Sequence, residues 1–333
     1  MIENGRPPGA ISSKGSITRR GTQMDSYYGR PVLQEPVWTW EIPAYFFAGG
    51  LGGASAVLSL SAKLTGHEKL AKTSLFVGAF GDVVSPYFLI SDLGRPERFL
   101  NMFRVFKVTS PMSVGSWILL VSGGASSTAA ALELLDFLKP VKLAAEAVSA
   151  VLGGALATYT GALVANTAVP TWHEARRELP LLFGASACAT AGAASLLFLS
   201  PDEARPARRL AIGAAVAELA TSFAMEKRLG KLLSEPYHKG ESGKWSWAAK
   251  ACTSAGAWML ARRGRDSRSA SIAGSALLLA GGGMLRWSVY KAGFESAQNP
   301  EHTVKPQRER AKRHGTKATT KKPGEAGSSQ RSA

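Results

Sequence analysis

Asp82 lies about midway along an apolar run, and Glu218 occupies an equivalent depth in a later one. A carboxyl group at such a depth is costly to bury, so residues of this kind line a polar pathway or pair with another group. Glu41 stands where the first apolar run begins. There it can exchange protons with water, or simply serve as a helix-start carboxylate favoured by the macrodipole. Around it lie Trp38, Trp40, Tyr45, Phe46 and Phe47. Such aromatics can wall an apolar slot at a membrane interface, or form a belt at headgroup level. Tyr159, in Thr158-Tyr159-Thr160-Gly161 of a fourth run, falls one to two turns inside the same face as Glu41. Arg95 and Arg98 follow Asp92 in a connecting loop, where they can brace it through Asp92 and Glu97 or meet a partner protein. His173 beside Trp172 is a possible relay on that side, or an ordinary exposed histidine.

These groups need elements to hold them. The 333 residues are 45% apolar with mean hydropathy near zero. That average hides two polar ends around a series of apolar runs, each about the 20 residues that cross a hydrocarbon core as a helix. The runs predict an all-α integral membrane protein with about eight helices, near 42–63, 70–91, 113–136, 143–166, 179–200, 207–228, 247–262 and 270–288. The seventh is the shortest and carries Lys250. Four regions follow: a polar segment 1–41, a four-helix bundle 42–166, a second bundle 167–290 and a basic tail 291–333 expected to be disordered.

The halves echo one another. Glu41-Ile42-Pro43 opens the first helix and Glu178-Leu179-Pro180 the fifth, 137 positions later. Nearly the same offset carries Leu93-Gly94 onto Leu229-Gly230 and Asp82 onto Glu218, as in a parallel repeat of two four-helix bundles.

Composition excludes several functions. Cys188 and Cys252 are too few for an iron–sulfur cluster, which takes about four thiolates. The five histidines all fall in loops or tails, which argues against a haem held between helices. The net charge of +16 owes much to the C-terminal tail, where contact with anionic lipid headgroups is a better reading than nucleic-acid binding. Residues 1–41 contain no apolar h-region, so the first helix is expected to be an uncleaved anchor. Most of the 40 Lys and Arg fall on the side shared by both ends, which predicts cytoplasmic termini.

Two segments are more specific. Trp38-Thr39-Trp40-Glu41-Ile42-Pro43 starts the first helix, and Asp92-Leu93-Gly94-Arg95-Pro96-Glu97-Arg98 opens the loop between the second and third. At this separation they resemble the signature regions of the NrfD/PsrC family of polysulfide reductase membrane subunits, and the helix layout extends the resemblance over about residues 27–290. It implies a multi-pass subunit of the inner (plasma) membrane that binds menaquinone or ubiquinone near one face. Electrons would pass between that quinone and a four-cluster iron–sulfur subunit serving a molybdopterin catalytic subunit. Trp40, Tyr45 and Tyr159 would form the slot, a fourth-helix tyrosine being implicated in quinone binding in the family. Glu41, Asp82 and Glu218 would move protons, and Arg95 and Arg98 would brace the loop and dock the partner. The family sometimes places a histidine near the start of the first helix to meet a quinone carbonyl, and this sequence has none there. A secondary transporter and a purely structural anchor are the rival readings of the same repeat and mid-membrane acids.

Overall fold

The computed structural model describes residues 33–200 and 202–308. The segment through Val32 and most of the basic tail, whose expected disorder was read from its charge, lie outside the described residues. The rest is helical, as the apolar periodicity required. Nine α-helices follow in order: α1 (Glu41–Leu64), α2 (Glu68–Ser91), α3 (Pro111–Leu135), α4 (Lys139–Ala165), the short α5 (Pro170–Glu174), α6 (Leu179–Leu196), α7 (Arg205–Leu233), α8 (Gly240–Arg262) and α9 (Arg268–Gln298). A 3-10 helix, Pro96–Phe103, occupies the loop between α2 and α3, and a second, Glu235–Tyr237, joins α7 to α8.

Eight of these helices are the expected spans, with corrected ends. Six are long and apolar enough to cross a membrane by length and composition. The other two, α7 and α8, are just as long but carry charge. They hide it: Glu218, Glu226 and Lys250 are all under a tenth exposed, so their charges face protein and not lipid. The seventh expected span is also a full helix of 23 residues rather than a short or reentrant piece. At the other end, α9 does not stop near 288 or yield to a tail at 291. It continues to Gln298, and further helical turns run from 300 to 308. The added turns are held by packing, because Ala292, Gly293, Ser296 and Ala297 are all buried.

The helices close two rings. In the first, α1 packs on α2, α2 on α3, α3 on α4 and α4 back on α1; in the second, α6, α7, α8 and α9 do the same. The expected pair of four-helix bundles is therefore present, with α1 and α6 forming the seam between them. Across that seam Phe46 meets Phe183 at 5.9 Å between ring centroids, and Gly50 faces Ala187. Each pair joins positions 137 apart, the offset of the sequence echo. Equivalent residues meet in this way only beside a two-fold axis, so the bundles are related by a pseudo-two-fold running between α1 and α6.

Small residues set the spacing. The α1 and α4 backbones cross at Gly53 and Gly153, where a Cβ on either glycine would overlap the other's backbone. Gly52 leaves room in the same way for the Asp82 side chain on α2. Close backbone approach of this kind is the usual role of glycine between membrane helices. We predict that Gly153→Val costs at least about 1–3 kcal/mol through overpacking. By contrast Gly124→Ala, on an α3 position with open space around it, should be neutral or gain up to about 1 kcal/mol. Thermal unfolding in detergent, native against variant, measures both.

Candidate functional site

The end of the molecule where α1 starts carries both signature segments, and the structure ties them together. Thr39 is the knot. Its backbone N–H donates to Asp92 Oδ1 at 3.0 Å, and its hydroxyl lies 2.5 Å from the same oxygen. The same hydroxyl also contacts a carboxylate oxygen of Glu41. Arg95 and Arg98 are exposed and form no ion pair with a described residue, so the expected bracing through Arg95 is corrected: the loop is fastened by Asp92 on Thr39. The 3-10 helix that follows buries no residue, but Phe103 and Phe106 pack edge-on against Trp117 of α3 and anchor the loop over the bundle.

Trp38 does not sit in an outward-facing belt. Its ring stacks on Trp172 at 5.6 Å and meets Phe46 edge-on at 6.3 Å. Trp172, from α5, is fully buried, donates from Nε1 to the Val289 carbonyl at 2.7 Å and lies flat over Gly293. Tyr290 of α9 donates its hydroxyl to the Trp38 carbonyl at 2.6 Å. The first signature segment is therefore gripped by the second bundle. Nothing in the local sequence announced Trp172 or Tyr290 as partners, since both contacts span more than a hundred positions. Beneath them Thr171 donates to Ser296 at 2.8 Å, and His302 Nδ1 lies 3.2 Å from the same hydroxyl. Burial holds the His302 imidazole below its ordinary pKa, so at neutral pH it is the uncharged ring that makes this contact. His173, the candidate relay, is exposed and lines the adjoining surface cleft with His302 and Thr303.

Of the three expected slot residues, two come together. Tyr45 is buried and Tyr159 half-buried, both in the same apolar cluster, with their hydroxyls close enough to interact electrostatically. Tyr159 lies against α3 where Gly115 provides room that any side chain would fill. Neither hydroxyl has a hydrogen-bond partner among the described residues, and the Trp117 indole N–H is also buried without one. Trp40 is apart from them: it is more than half exposed and packs edge-on to Phe88 of α2.

One to two turns further in, Asp82 is 1% exposed. Ser126 of α3 donates to its Oδ2 at 2.7 Å, while Oδ1 has no partner. Pro86, four residues on, lacks the N–H that would close the helical bond to the Asp82 carbonyl. Ser85 and Ser122, each about one turn from this acid pair toward the tyrosines, are also buried with unpartnered hydroxyls. A polar seam thus runs from Tyr45 and Tyr159 to Asp82. Glu218 repeats the arrangement in the second bundle, accepting from Thr253 of α8 at 2.9 Å. The two acids lie in separate bundles, and each faces the third helix of its own ring.

Residues 31–202 match the family described as Polysulphide reductase, NrfD. The match covers more than half of the chain and includes both signature segments. The chain belongs to the NrfD family. No curated protein matches it. Membership makes it a membrane subunit of an oxidoreductase complex, crossing the bilayer several times and working with other subunits. The matched region ends at residue 202, so it holds the whole first bundle and α6 but none of α7, α8 or α9.

The grip of Trp172 on the signature segment is directly measurable. We predict that a double-mutant cycle with Trp38→Leu and Trp172→Leu, read by unfolding in mixed micelles, gives a coupling of about 0.5–1.5 kcal/mol, the range for an aromatic pair. Additive effects would show that the two rings are independently placed.

Proposed function

We propose that this NrfD chain is the quinone-handling subunit of its complex, exchanging electrons between membrane menaquinone or ubiquinone and an iron–sulfur partner docked over the signature segments. The observation that carries the reading is the pair of uncommitted phenols, Tyr45 and Tyr159, held between α1, α3 and α4 directly beneath those segments. A quinone ring needs an apolar slot, hydrogen-bond donors for its carbonyls and a route for two protons. Two hydroxyls without a protein acceptor fit the donors, and the space over Gly115 fits the approach of a flat ring.

Proton exchange at the surface has a physical basis in the Thr39 knot. A hydroxyl has one hydrogen to donate. Thr39 Oγ1 contacts carboxylate oxygens of both Glu41 and Asp92, so it can donate to only one of them at a time. These two acids stand at the mouth of the seam leading through Ser85 and Ser122 to Asp82. In the second bundle the equivalent positions, Glu178 and Arg228, form a closed ion pair. The proton-exchanging knot therefore belongs to the first bundle alone. Electrons would leave or arrive over the Pro96–Phe103 loop, where the exposed Arg95 and Arg98 offer positive charge to an acidic partner, here proposed as a four-cluster iron–sulfur subunit serving a molybdopterin enzyme. The excess of Lys and Arg on this side supports placing this face, with both termini, in the cytoplasm of a cell whose plasma membrane holds the complex.

In the native complex, Tyr159→Phe should raise the KM for quinol roughly 2- to 10-fold, the worth of one lost hydrogen bond, while leaving assembly intact. Asp82→Asn should lower turnover and proton uptake together at unchanged KM. Steady-state assays with a soluble quinol measure both, and native kinetics in the two variants would sink the reading. Purification from native membranes without any iron–sulfur protein would do the same for the partner.

A further inference from the structure

The second bundle holds a column of ionisable groups that quinone chemistry does not use, and nearly all of it lies beyond the region matched to the family. Glu218, Ser222 and Glu226 recur every four residues along one face of α7 and are all buried. Glu226 is the most connected: Lys250 Nζ donates to its Oε1 at 2.5 Å, Ser222 donates to the same oxygen at 3.2 Å, and His238 Nε2 lies 3.5 Å from Oε2. His238 is 44% exposed at the end of the bundle where α1 also starts, so it touches water while its other side touches Glu226. Tyr237, buried beside Glu226, has an unpartnered hydroxyl. Two turns further in, about 12 Å along the axis, Glu218 accepts from Thr253 and interacts with Ser186 and the Arg286 guanidinium. Arg286 is 1% exposed, donates to Ser186 and to the Phe183 carbonyl at 3.0 Å, and leaves its Nε without a partner.

We propose that this column is a proton-conducting half-channel: His238 takes a proton from water, Glu226 receives it, Ser222 passes it inward, and Glu218 holds it beside Arg286 near the mid-membrane. Three features separate it from a static ion pair that merely glues α7 to α8. The groups are spaced one helical turn apart along the buried face of α7, from the half-exposed His238 inward to Glu218, whereas a structural pair needs only Lys250 and Glu226. Each acid has a hydroxyl within reach, so a proton can be handed on by rotation of an O–H. The inner end is built around an orphaned buried donor on Arg286, and orphaned donors in native proteins mark ordered water or a working site. Lys250 pairs with Glu226, and the Arg286 guanidinium stands beside Glu218. A proton arriving at Glu218 neutralises that acid, and its departure restores the starting state, so no other reactant is consumed. Ionisable groups inside a membrane protein are expensive to place and are characteristic of proton relays.

The test needs neither quinone nor an electron-transfer partner, so its failure leaves the quinone reading untouched and the failure of that reading leaves this one standing. The purified protein in its native complex is transferred to heavy water, and the carboxylic C=O stretch of Glu218 is followed by infrared difference spectroscopy, assigned by its loss in Glu218→Gln. The expected result is an exchange of that band that slows at least about tenfold in Glu226→Gln and in Ser222→Ala, is restored by Glu226→Asp, and slows in His238→Ala but recovers when free imidazole is added. The imidazole arm keeps the proposal falsifiable even if an interior variant fails to fold, because His238 is at the surface and a purely structural histidine is not rescued by buffer. Absence of a carboxylic band lost in Glu218→Gln at any pH down to 5 would overturn the proposal. Native exchange rates in both Glu226→Gln and His238→Ala would overturn it equally.

Discussion

Everything in this molecule is arranged around how closely its neighbours can approach α1. That helix is crossed by α4 at backbone distance, by the Asp82 side chain of α2 at Gly52, and by the Arg286 guanidinium of α9 near Gly50. A single leucine at Gly52 or Gly53 would push α2 or α4 away from α1, and one at Gly50 would push away the second bundle. In lipid there is no hydrophobic force pressing helices together, so the contacts that hold them depend on shape and on hydrogen bonds. The glycine stretch supplies the shape. It also brings a mid-membrane acid and a mid-membrane base to opposite sides of the same helix without letting them meet, which keeps each available to its own bundle.

The signature segment ahead of α1 depends on this seam in turn. Trp38 can stack on Trp172, and Tyr290 can reach the Trp38 carbonyl, only because α9 and the α4–α6 connection are drawn in against α1. The first bundle carries both signature segments, while the second contributes the clamp on the first of them. The matched region alone, residues 31–202, therefore lacks two groups that help fix its own N-terminal segment in place: Tyr290, and the Val289 carbonyl that orients Trp172.

Much of the architecture could be read from the sequence, since hydrophobic run length is a direct physical requirement of the bilayer. The all-helical fold and the number of long helices followed from it. What could not be read were relations between helices. Nothing near Glu226 in sequence shows that Lys250 neutralises it, so α8 looked like the weakest span when it is a full helix with its charge turned inward. Trp40 looked like the natural wall of a slot, but which side of α1 a residue faces at its first turn is set by the packing of α2, and Trp40 falls on the outer side with Phe88. Asp92 was expected to meet Arg95, its near neighbour, and instead met Thr39, 53 positions away. Local sequence favours local partners, and the fold chose distant ones.

The meeting of Phe46 with Phe183 and of Gly50 with Ala187 has a consequence for origins. A surface whose residues contact their own counterparts is self-complementary, and self-complementarity is the defining property of a homodimer interface. A four-helix ancestor with this face would have associated as two identical copies, each carrying an acid at the depth of Asp82. The two halves differ within this frame: one holds paired carboxylates at its mouth, and the other has Arg228 at the position equivalent to Asp92. The frame is near-symmetric, and the groups it presents at corresponding positions are not.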